Sequence, residues 1–472
     1  MHFIKDIESR LSSYQIITNE EDKKSFEKDW RGRYQGSSLA VVFPKTVDEV
    51  IWIVQCCIKH HIKIVPQSGN TSLCGGSVPI TSIPSVVINL SKLNQIREID
   101  LDNNTIIVES GVILEQLSKE ALNNNRLFPL SMASEGSAQI GGIISTNAGG
   151  TAVIRYGTMR GLVLGLEVIL PSGELWHGLT GLRKDNTGYD LKQLFIGAEG
   201  TLGIITAATL KLLPLPKTKE IYWVTTNNIQ NTVSILTHLK KSVGDQICAF
   251  EIISSNCLQL IKKHFPQLVV PHYEEGNWII LVELDYFNEP QENHSIFMDC
   301  IEKGIINDVV LAVSEQQKKH FWSIREHIPL AEKNEGFSIK HDISLPISSI
   351  PQFVINAVNK VNQLIPGVGN ICFGHLGDGN LHFNFTNPGH MMNEEFLSLT
   401  STVNEIVYDL VYQYHGSLSA EHGIGQLKIN SLKKYKSELE MDLMLKIKQT
   451  IDPMNIMNPG KLLSISDEPI KT

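Results

Sequence analysis

Two histidines and a carboxylate in the second half of the chain are the residues whose types and spacing best suit chemistry. His375 and His382 are separated by a Gly-Asp-Gly turn and flanked by strand-like residues, and Glu421 follows further along beside His422. Two imidazoles and one carboxylate are a ligand set for a divalent metal ion with an open coordination position. His422 is then left to move protons. The pattern indicates a metal-assisted reaction.

A purely structural role for these residues is the alternative to a metal site. Two strand histidines are by themselves more often hydrogen-bonded core residues than ligands, and Glu421 could be a surface acid. The turn favours the metal site, because a hairpin places His375 and His382 near one another on facing strands. Zn²⁺ suits the set best, with Mn²⁺, Co²⁺ or Fe²⁺ as alternatives. His422 could also be a residue that only supports a ligand.

Length and composition predict a globular protein of two or more domains. The chain has 472 residues, of which 42% are hydrophobic and 19% charged, and this length exceeds what one simple core accommodates. The net charge is -9, and no Lys/Arg-dense face or basic tail is apparent. Nucleic-acid binding is therefore not expected.

Cysteine usage and the N-terminus bear on location. The seven cysteines are odd in number and lack CxxC spacing, which favours reduced thiols in a cytosol-like compartment. The first residues lack the apolar core of a signal peptide and contain acids, which transit peptides avoid. There is no apolar run of about 18 residues, so no transmembrane segment is expected. The predicted location is cytoplasmic; peripheral membrane association is compatible with the sequence but unsupported.

The first half reads as short strands punctuated by glycine loops. Thr46 is predicted to cap a helix after a strand at 41–43, with Glu49 completing a capping box. Pro214 and Pro216 mark a domain boundary, because closely spaced prolines end a strand and stiffen a connection. The remaining predicted strands are 62–66, 86–90, 105–109, 163–170 and 202–213.

Several glycine-rich stretches could approach a large ligand. The first, residues 66–77, matches neither common nucleotide-binding motif, but its successive N–H groups could form a nest for a pyrophosphate. The alternative is a simple connection in which glycines serve only positive φ. Further glycines at 136–150 and 197–203 weaken that alternative. Main chain that closely approaches a flat dinucleotide would explain them.

These stretches also carry a family resemblance. The segments PQSGNTSLCGGSVP, GSAQIGGIISTNAGG, FGHLGDGNLHFN, SAEHGIG and DPMNIMNPGK follow one another in this order. Together they resemble the FAD-dependent D-2-hydroxyacid dehydrogenases of the vanillyl-alcohol-oxidase/p-cresol-methylhydroxylase (PCMH) superfamily. The segment LRKDNTGYDLKQLFIG is most similar to the D-2-hydroxyglutarate dehydrogenases. The resemblance extends from about residue 30 to 463.

The resemblance implies an α+β fold with a bipartite FAD-binding domain of the PCMH type. A substrate domain with an antiparallel sheet and a C-terminal helical segment that returns to the FAD domain would complete it. The implied boundaries are an N-terminal segment 1–38, the FAD domain 39–215, the substrate and metal domain 216–425 and the helical segment 426–472.

Matching the motifs implies the cofactor residues. Loop residues would cradle the FAD pyrophosphate: Pro66, Ser68, Gly69, Asn70, Thr71, Gly75, Gly76 and Ser77. A second set would line flavin and adenosine: Gly136, Ser137, Ile140, Gly141, Gly142, Thr146, Asn147, Gly149, Gly150, Gly203, Ile204 and, from the C-terminal segment, Asn458. The family usually has glycine where Ser68 stands. No histidine or cysteine occupies the positions of covalent attachment, so non-covalent FAD is predicted.

The family match also implies a substrate site and a reaction. Arg325 and Lys340 would bind substrate carboxylates, Asn384 and His422 would contact the substrate, and His422 would be the base. Hydride would pass from C2 to flavin N5, giving a 2-oxoacid. For Arg325 and Lys340 the alternative is a helix-face salt bridge with Glu326 and a solvated lysine.

The substrate is not determined by these residues. The hydroxyglutarate enzymes commonly carry threonine four residues after the arginine, where this chain has Pro329. D-2-Hydroxyglutarate is the first expectation, and D-lactate, glycolate or another D-2-hydroxyacid is the alternative.

Other functions and partners stay open. An oxidase that uses O₂, a hydrolytic metalloenzyme and a non-catalytic flavin protein are the competing functions. Electron-transfer flavoprotein or quinone is the expected acceptor, and a homodimer is compatible with the sequence.

Overall fold

The protein consists of two compact units. The structure is a computed structural model that describes residues 2–288 and 294–464. Unit 1 contains residues 1–149, 158–214 and 421–472, and unit 2 contains residues 150–157 and 215–420. The division after Pro214 falls beside the prolines from which a boundary was predicted. The C-terminal helical segment is part of unit 1.

The first sheet of unit 1 combines one antiparallel and two parallel pairings. Its order is Ile16–Ile17, Ala40–Val42, Ser85–Asn89 and Lys63–Gln67, and the last three strands run parallel. The helix Val47–His60 makes the crossover that parallel strands require. Its apolar face packs on the sheet through residues such as Ile53 and Val54.

Thr46 caps this helix as predicted, but the capping box does not form. The Thr46 hydroxyl accepts the Glu49 N–H at 3.2 Å. The Glu49 carboxylate instead accepts the Lys45 N–H at 2.6 Å, one residue before the cap. The helix ends at His61 in the left-handed conformation, with φ of 54°.

The second sheet of unit 1 is wholly antiparallel. Its strands follow the order Ile96–Asp100, Thr105–Glu109, Ile204–Lys211, Val163–Ile169 and Leu175–Gly178. A further pair joins Arg126–Leu127 to Leu213–Pro214. The helices of unit 1 are His2–Glu8, Glu20–Lys23, Val47–His60, Leu114–Asn123, Ile140–Ser145, Met159–Leu162, Lys192–Phe195, Ile429–Tyr435 and Glu438–Ile451, with a 3₁₀ turn at Ser13–Gln15.

Unit 2 is built on one antiparallel sheet, which confirms the predicted α+β class. Seven strands follow the order Asp308–Leu311, Thr218–Thr226, Trp278–Tyr286, Ile247–Ser254, Gly369–Gly374, Asn380–Thr386 and Ser338–Ile339, and Asp342–Ser344 also pairs with Asn380–Thr386. The helices are Val153–Tyr156, Ile229–Val243, Ser255–His264, His294–Glu302, Glu315–Glu326, Ile328–Glu335, Ile350–Leu364, Asn393–Ser398 and Thr400–Gln413, with 3₁₀ turns at Gly244–Gln246 and Ile347–Ser349.

One face of this sheet carries the core beneath two consecutive helices. Phe321, Ile324 and Ile328 pack on Trp223 and Phe373. The helix Glu315–Glu326 stops at His327, and the next helix, Ile328–Glu335, begins with a proline in its first turn. Proline is tolerated there because a first-turn N–H has no helical acceptor.

Among the described residues, no helix combines the length and the apolar character needed to cross a bilayer.

Candidate active site

The predicted histidine hairpin forms in the sheet of unit 2. Strands Gly369–Gly374 and Asn380–Thr386 pair so that Phe373 faces His382. His375 lies one residue beyond the first strand, in the turn, rather than on the facing strand as expected. Its ring centroid is 5.9 Å from that of His382, with the planes 76° apart. The two imidazoles are close enough to bind one ion together.

Two glycines allow this turn. Gly374 and Gly379 have φ of 150° and 90°, which side chains rarely adopt. A Cβ on Gly379 would lie 2.3 Å from the carbonyl oxygen of Leu345. The Gly379 N–H donates to the His375 carbonyl at 3.1 Å. The glycine spacing is therefore what positions His375 beside the strand of its partner.

A buried carboxylate, Glu251, joins His375 to Arg325. One oxygen of Glu251 is 2.5 Å from Nδ1 of His375, and the other accepts from Nε of Arg325 at 2.8 Å. Glu251 is 0% exposed. Burial alone would raise its pKa, but the charges and hydrogen bonds of His375 and Arg325 outweigh that effect and hold the pKa at about 2. Because Nδ1 of His375 faces a carboxylate, Nε2 is the nitrogen suited to a metal.

Arg325 is buried, and its position suits recognition of a carboxylate. Its guanidinium lies over the ring of Phe373, 4.7 Å from the centroid. Within the described residues only Nε has a hydrogen-bond partner, Glu251, and neither terminal nitrogen has one. The predicted alternative, a salt bridge to Glu326, is not the pairing that forms. The two terminal nitrogens form the fork that binds carboxylates bidentately.

Lys340 and Asn384 meet on a second buried carboxylate, Glu332. Oε2 of Glu332 accepts from Lys340 Nζ at 2.8 Å and from Asn384 Nδ2 at 3.0 Å. Oδ1 of Asn384 accepts the backbone N–H of His341 at 3.0 Å. Lys340 is thus an ion-paired residue and not a solvated lysine.

A second group of possible ligands in unit 2 is better explained as an ion-pair network. Ligand atoms of Cys248, Glu283 and Asp285 lie within 4.8 Å of one another, and all three are buried. Lys219 Nζ is 2.6 Å from Glu283 and 3.6 Å from Asp285. Tyr156 donates to Asp285 at 3.0 Å. The lysine already supplies the positive charge that a metal would supply.

In unit 1, the loop predicted to hold pyrophosphate has its carbonyl groups anchored. Three side-chain amides donate to three consecutive carbonyl oxygens: Gln426 to Gly75 at 2.9 Å, Asn458 to Gly76 at 2.9 Å and Gln67 to Ser77 at 3.0 Å. The loop geometry is held further by Asn70, which has φ of 52° and accepts from the Ser77 hydroxyl at 2.7 Å.

The N–H groups of the same loop lack acceptors. In the part of the chain that the structure describes, no acceptor faces the backbone N–H of Gly69, Asn70, Thr71, Gly75 or Gly76. Backbone donors that are removed from water in folded proteins are nearly always paired. A loop with tethered carbonyls and unpaired N–H groups is suited to bind an anion.

Comparisons with known proteins agree with this geometry. The model of the C-terminal domain of FAD-linked oxidases matches residues 215–462, and that of a FAD-binding domain matches residues 38–178. The chain belongs to the FAD-linked oxidases.

Relatives extend the comparison over almost the full length. The mitochondrial D-2-hydroxyglutarate dehydrogenase of Arabidopsis thaliana is 36% identical, over 96% of this chain and 80% of that protein. The D-2-hydroxyglutarate dehydrogenase of Stutzerimonas stutzeri is 34% identical over 98% of both. The structure of p-cresol methylhydroxylase with substrate bound has a TM-score of 0.74 at 19% identity and covers 98% of this chain and 96% of that one. The last comparison supports the PCMH-type fold.

The residues of unit 1 fit the FAD that this family of oxidases uses. Besides the unpaired N–H groups, Ser110 Oγ and Asn458 Oδ1 are buried without a hydrogen-bond partner among the described residues. Ser110 is next to the predicted set, because its carbonyl accepts the Gly141 N–H at 2.8 Å. Buried polar atoms of this kind are the ones that a bound ligand satisfies.

Three of the predicted FAD-binding glycines are required by close packing within the protein itself. A Cβ on Gly69 would lie 2.2 Å from the Ser137 carbonyl oxygen, and one on Gly141 would lie 2.6 Å from the Ser110 Cβ. On Gly203 it would lie 2.8 Å from Val168. These glycines let loops and strands approach one another, and this role is independent of any contact with a ligand.

Ser68 is accommodated where relatives usually have glycine. Cβ atoms added to Gly141 or Gly142 would come within 3.3 Å of the Ser68 side chain. Their absence therefore makes room for it.

The remaining predicted FAD residues are close in sequence to these. Ile140, Gly141 and Gly142 lie on the helix Ile140–Ser145, and Ile204 opens the strand Ile204–Lys211. Oδ1 of Asn147 accepts the Arg160 N–H at 2.9 Å. Other members precede or follow that helix: Gly136, Ser137, Thr146 and Gly149 in unit 1 and Gly150 in unit 2.

Sequence reasoning missed Glu251 and Glu332. A usable signal exists for Glu251, which is a lone carboxylate in the wholly buried strand Ile247–Ser254. A buried charge implies a partner. Glu332 is 0% exposed but looks in the sequence like an ordinary helical acid.

Glu421 and His422 open the last segment of unit 1, directly after Ala420 of unit 2. Both are half-buried. Ala420 is held in unit 2, because its N–H donates to the Asp342 carbonyl at 3.3 Å.

Proposed function

We propose that this member of the FAD-linked oxidase family oxidises a D-2-hydroxyacid to the 2-oxoacid, with D-2-hydroxyglutarate as the favoured substrate. The observation that carries the proposal is the Glu251 bridge between His375 and Arg325. It ties a histidine suited to hold metal to an arginine suited to hold a carboxylate. A substrate with a hydroxyl beside a carboxylate needs both functions in one place. The names of the two relatives support the same chemistry.

The proposed metal ligands are His375, His382 and Glu421. Asp342 is the register partner of His382, and the Asp342 carbonyl accepts the Ala420 N–H. Glu421 is the next residue in the chain, which supports its membership of the set. Zn²⁺ suits two imidazoles and a carboxylate, with Mn²⁺, Co²⁺ and Fe²⁺ as alternatives. A divalent ion on these donors would polarise the 2-hydroxyl and lower its pKa.

The two ion pairs formed by the proposed substrate-binding cations favour a role for an added ion. Arg325 is paired with Glu251, and Lys340 is paired with Glu332. The two cations and two carboxylates cancel, so an anionic substrate would find little net attraction without a further positive charge. A divalent ion on the proposed ligands would supply that charge.

The chain's own residues then have separate roles. Arg325 binds a substrate carboxylate through its terminal nitrogens, and Lys340 assists from its pair with Glu332. Asn384 is held by His341 and Glu332 and orients the substrate. His422 takes the hydroxyl proton, because a neutral imidazole held beside the hydroxyl can act as a general base. FAD held by the unit 1 residues described above would supply the hydride acceptor.

Pro329 leaves the choice among D-2-hydroxyacids to experiment. Pro329 is exposed and lies in the first turn of the helix Ile328–Glu335. A hydroxyl that relatives commonly have at this position is missing, so a shorter substrate such as D-lactate or glycolate is the second candidate.

We further propose non-covalent FAD and an acceptor other than O₂, either an electron-transfer flavoprotein or a quinone. Cys74, which lies within the loop 66–77, is buried and donates to the Gly423 carbonyl at 3.5 Å. Release of FAD on denaturation with acid tests the first point. A peroxidase-coupled assay tests the second, because an oxidase would release peroxide.

The cysteines support a reducing compartment such as the cytoplasm. The seven cysteines are all free thiols, as expected where disulfides do not form. The Arabidopsis relative is named mitochondrial. Subcellular fractionation distinguishes the two compartments.

The decisive experiment is anaerobic flavin reduction with a panel of D- and L-2-hydroxyacids, with and without a chelator. We expect bleaching by a D-2-hydroxyacid, which chelation prevents and added Zn²⁺ restores. His375→Ala should lose metal and turnover but keep FAD. The control His264→Ala removes a histidine that pairs with Glu335 outside the site. Full turnover in His375→Ala would exclude the metal role, and no bleaching by any hydroxyacid would exclude the reaction.

A further inference from the structure

Lys461 is a buried lysine of unit 1 whose ammonium has no partner in the protein. The residue is 2% exposed. Its Nζ makes no hydrogen bond or ion pair within residues 2–288 and 294–464. An ammonium that loses its water shell without gaining acceptors is unfavourable. A ligand that supplies an acceptor would explain why lysine stands here.

The chain on both sides of Lys461 is held to the pyrophosphate loop. Hydrogen bonds make this connection: Asn458 Nδ2 to Gly76 O at 2.9 Å, Leu462 N to Gly425 O at 3.0 Å and Gln426 N to Cys74 O at 2.8 Å. Asn458 is itself one of the residues predicted to bind FAD. Lys461 is therefore bracketed by contacts to the loop whose N–H groups lack acceptors.

Glu199, the carboxylate whose charge acts on Lys461, forms no hydrogen bond or ion pair with it. The Glu199 carboxylate accepts the N–H groups of Ile424 and Gly425, each at 2.7 Å. Burial lowers the pKa of Lys461 to about 8, and the charge of Glu199 offsets only part of this effect. Burial likewise raises the pKa of Glu199, with Lys428 and Lys461 opposing. The pair interacts at a distance but forms no salt bridge.

A second buried lysine in the same segment provides the contrast. Lys448 is 4% exposed. Its Nζ donates to Thr201 O at 2.7 Å, to Asp452 Oδ2 at 2.5 Å and to Met457 O at 2.9 Å. Lys448 is thus a structural lysine with all three donors used. Lys461 lies 13 residues later and has none used.

We propose that Lys461 is a FAD-binding residue whose ammonium donates to an anionic oxygen of the cofactor. Two parts of FAD offer this chemistry, the pyrophosphate and the pyrimidine edge of the flavin, which becomes negative on reduction. The inference rests on FAD binding by unit 1 and is independent of the substrate and the metal. It adds a positive charge to a cradle that otherwise binds through backbone N–H groups.

The test compares Lys461→Met with Lys448→Met in the full chain, with FAD bound and after FAD is removed. For Lys461→Met we expect FAD to bind about 10–100-fold more weakly, as for loss of a charged hydrogen bond. The thermal midpoint of its FAD-free form should equal or exceed that of the unmodified protein. Lys448→Met should behave in the opposite way. Its FAD-free thermal midpoint should be lower, and the increase in midpoint on adding FAD should equal that of the unmodified protein.

Oxidised and reduced FAD distinguish the two acceptors. If Lys461 contacts the pyrophosphate, Lys461→Met weakens the binding of oxidised and reduced FAD equally, and the reduction potential of the flavin is unchanged. If Lys461 contacts the pyrimidine edge, the affinity for reduced FAD falls more than that for oxidised FAD, and the reduction potential falls. Unchanged FAD affinity together with a lower FAD-free midpoint would overturn the proposal, because Lys461 would then be structural. Failure of all hydroxyacids to reduce the flavin would leave this result unaffected.

Discussion

Nδ1 of His375 lies 2.5 Å from Oε1 of Glu251, a residue 124 positions earlier in the chain. The same carboxylate accepts from Arg325. Glu251 therefore sets the orientation of a proposed metal ligand and of a proposed substrate ligand together. Loss of its charge should affect both.

Glu251→Gln tests this coupling. Glutamine cannot accept hydrogen bonds at both ends of its amide, so one of the two contacts must be lost. We expect metal affinity to fall about 10–100-fold, the effect usual for partners of metal-bound histidines, and KM to rise. Metal titration against a competing chelator measures the first effect and initial rates the second.

Glu283→Gln is the matched control for that substitution. Glu283 is also buried on this sheet but pairs with Lys219 and Trp322. The variant Glu283→Gln should be less stable than the unmodified protein but should bind metal with unchanged affinity. Metal binding by Glu251→Gln as tight as in the unmodified protein would show that the bridge is only structural.

Arg325→Lys should raise KM for the substrate at least about tenfold. Lysine lacks the fork that binds a carboxylate bidentately, and it cannot also reach Glu251 in the same way. FAD content should not change. Arg97→Lys is the control, because Arg97 forms comparable pairs with Glu109 and Glu167 in unit 1. An unchanged KM in Arg325→Lys, measured by steady-state kinetics, would remove Arg325 from the substrate site.

FAD affinity should fall as the pH rises above about 8. The FAD-free protein holds Lys461 with a pKa of about 8, because burial disfavours the charged form. An acceptor on FAD would raise that pKa, so binding takes up a proton above pH 8. The Kd for FAD should increase about tenfold between pH 7 and pH 9. Flavin fluorescence titration measures it, and Lys461→Met should remove the pH dependence.

The same pKa predicts how stability of the FAD-free protein depends on pH. In the unfolded chain a lysine keeps its proton to about pH 10.5. Between pH 8 and this value the unfolded state therefore binds more protons, and the contribution of Lys461 to stability rises with pH. Urea unfolding of the FAD-free protein and of Lys461→Met isolates this contribution. An identical pH dependence in both would contradict the assignment.

Two glycine substitutions separate packing from cofactor binding. Gly69→Ala places a Cβ 2.2 Å from the Ser137 carbonyl, whereas on Gly136 the nearest atom, Oε2 of Glu115, is 3.8 Å away. Gly69→Ala should cost about 1–3 kcal/mol of stability even without FAD, as expected for overpacking. Gly136→Ala should leave the FAD-free protein unchanged and weaken FAD only if Gly136 lines the ligand. Thermal unfolding with and without FAD measures both effects. An FAD-free stability of Gly69→Ala equal to that of the unmodified protein would contradict the close contact at Gly69.

Local rules predicted much of the fold. The cap at Thr46 and the hairpin of His375 and His382 follow from interactions between residues close in sequence. The departures are local as well. The Glu49 carboxylate accepts the N–H of Lys45 rather than that of Thr46, and His375 lies one residue beyond the strand that ends at Gly374.

The sequence by itself determined the family, the α+β class and the residue types of the candidate site, since these depend on motifs and periodicity within short segments. Only the tertiary structure decided which buried charges meet. Glu251, Arg325 and His375 are brought together across 74 and 124 positions, and Lys461 is left without an acceptor. Whether a buried charge is paired depends on side chains from distant segments, and no local pattern records them.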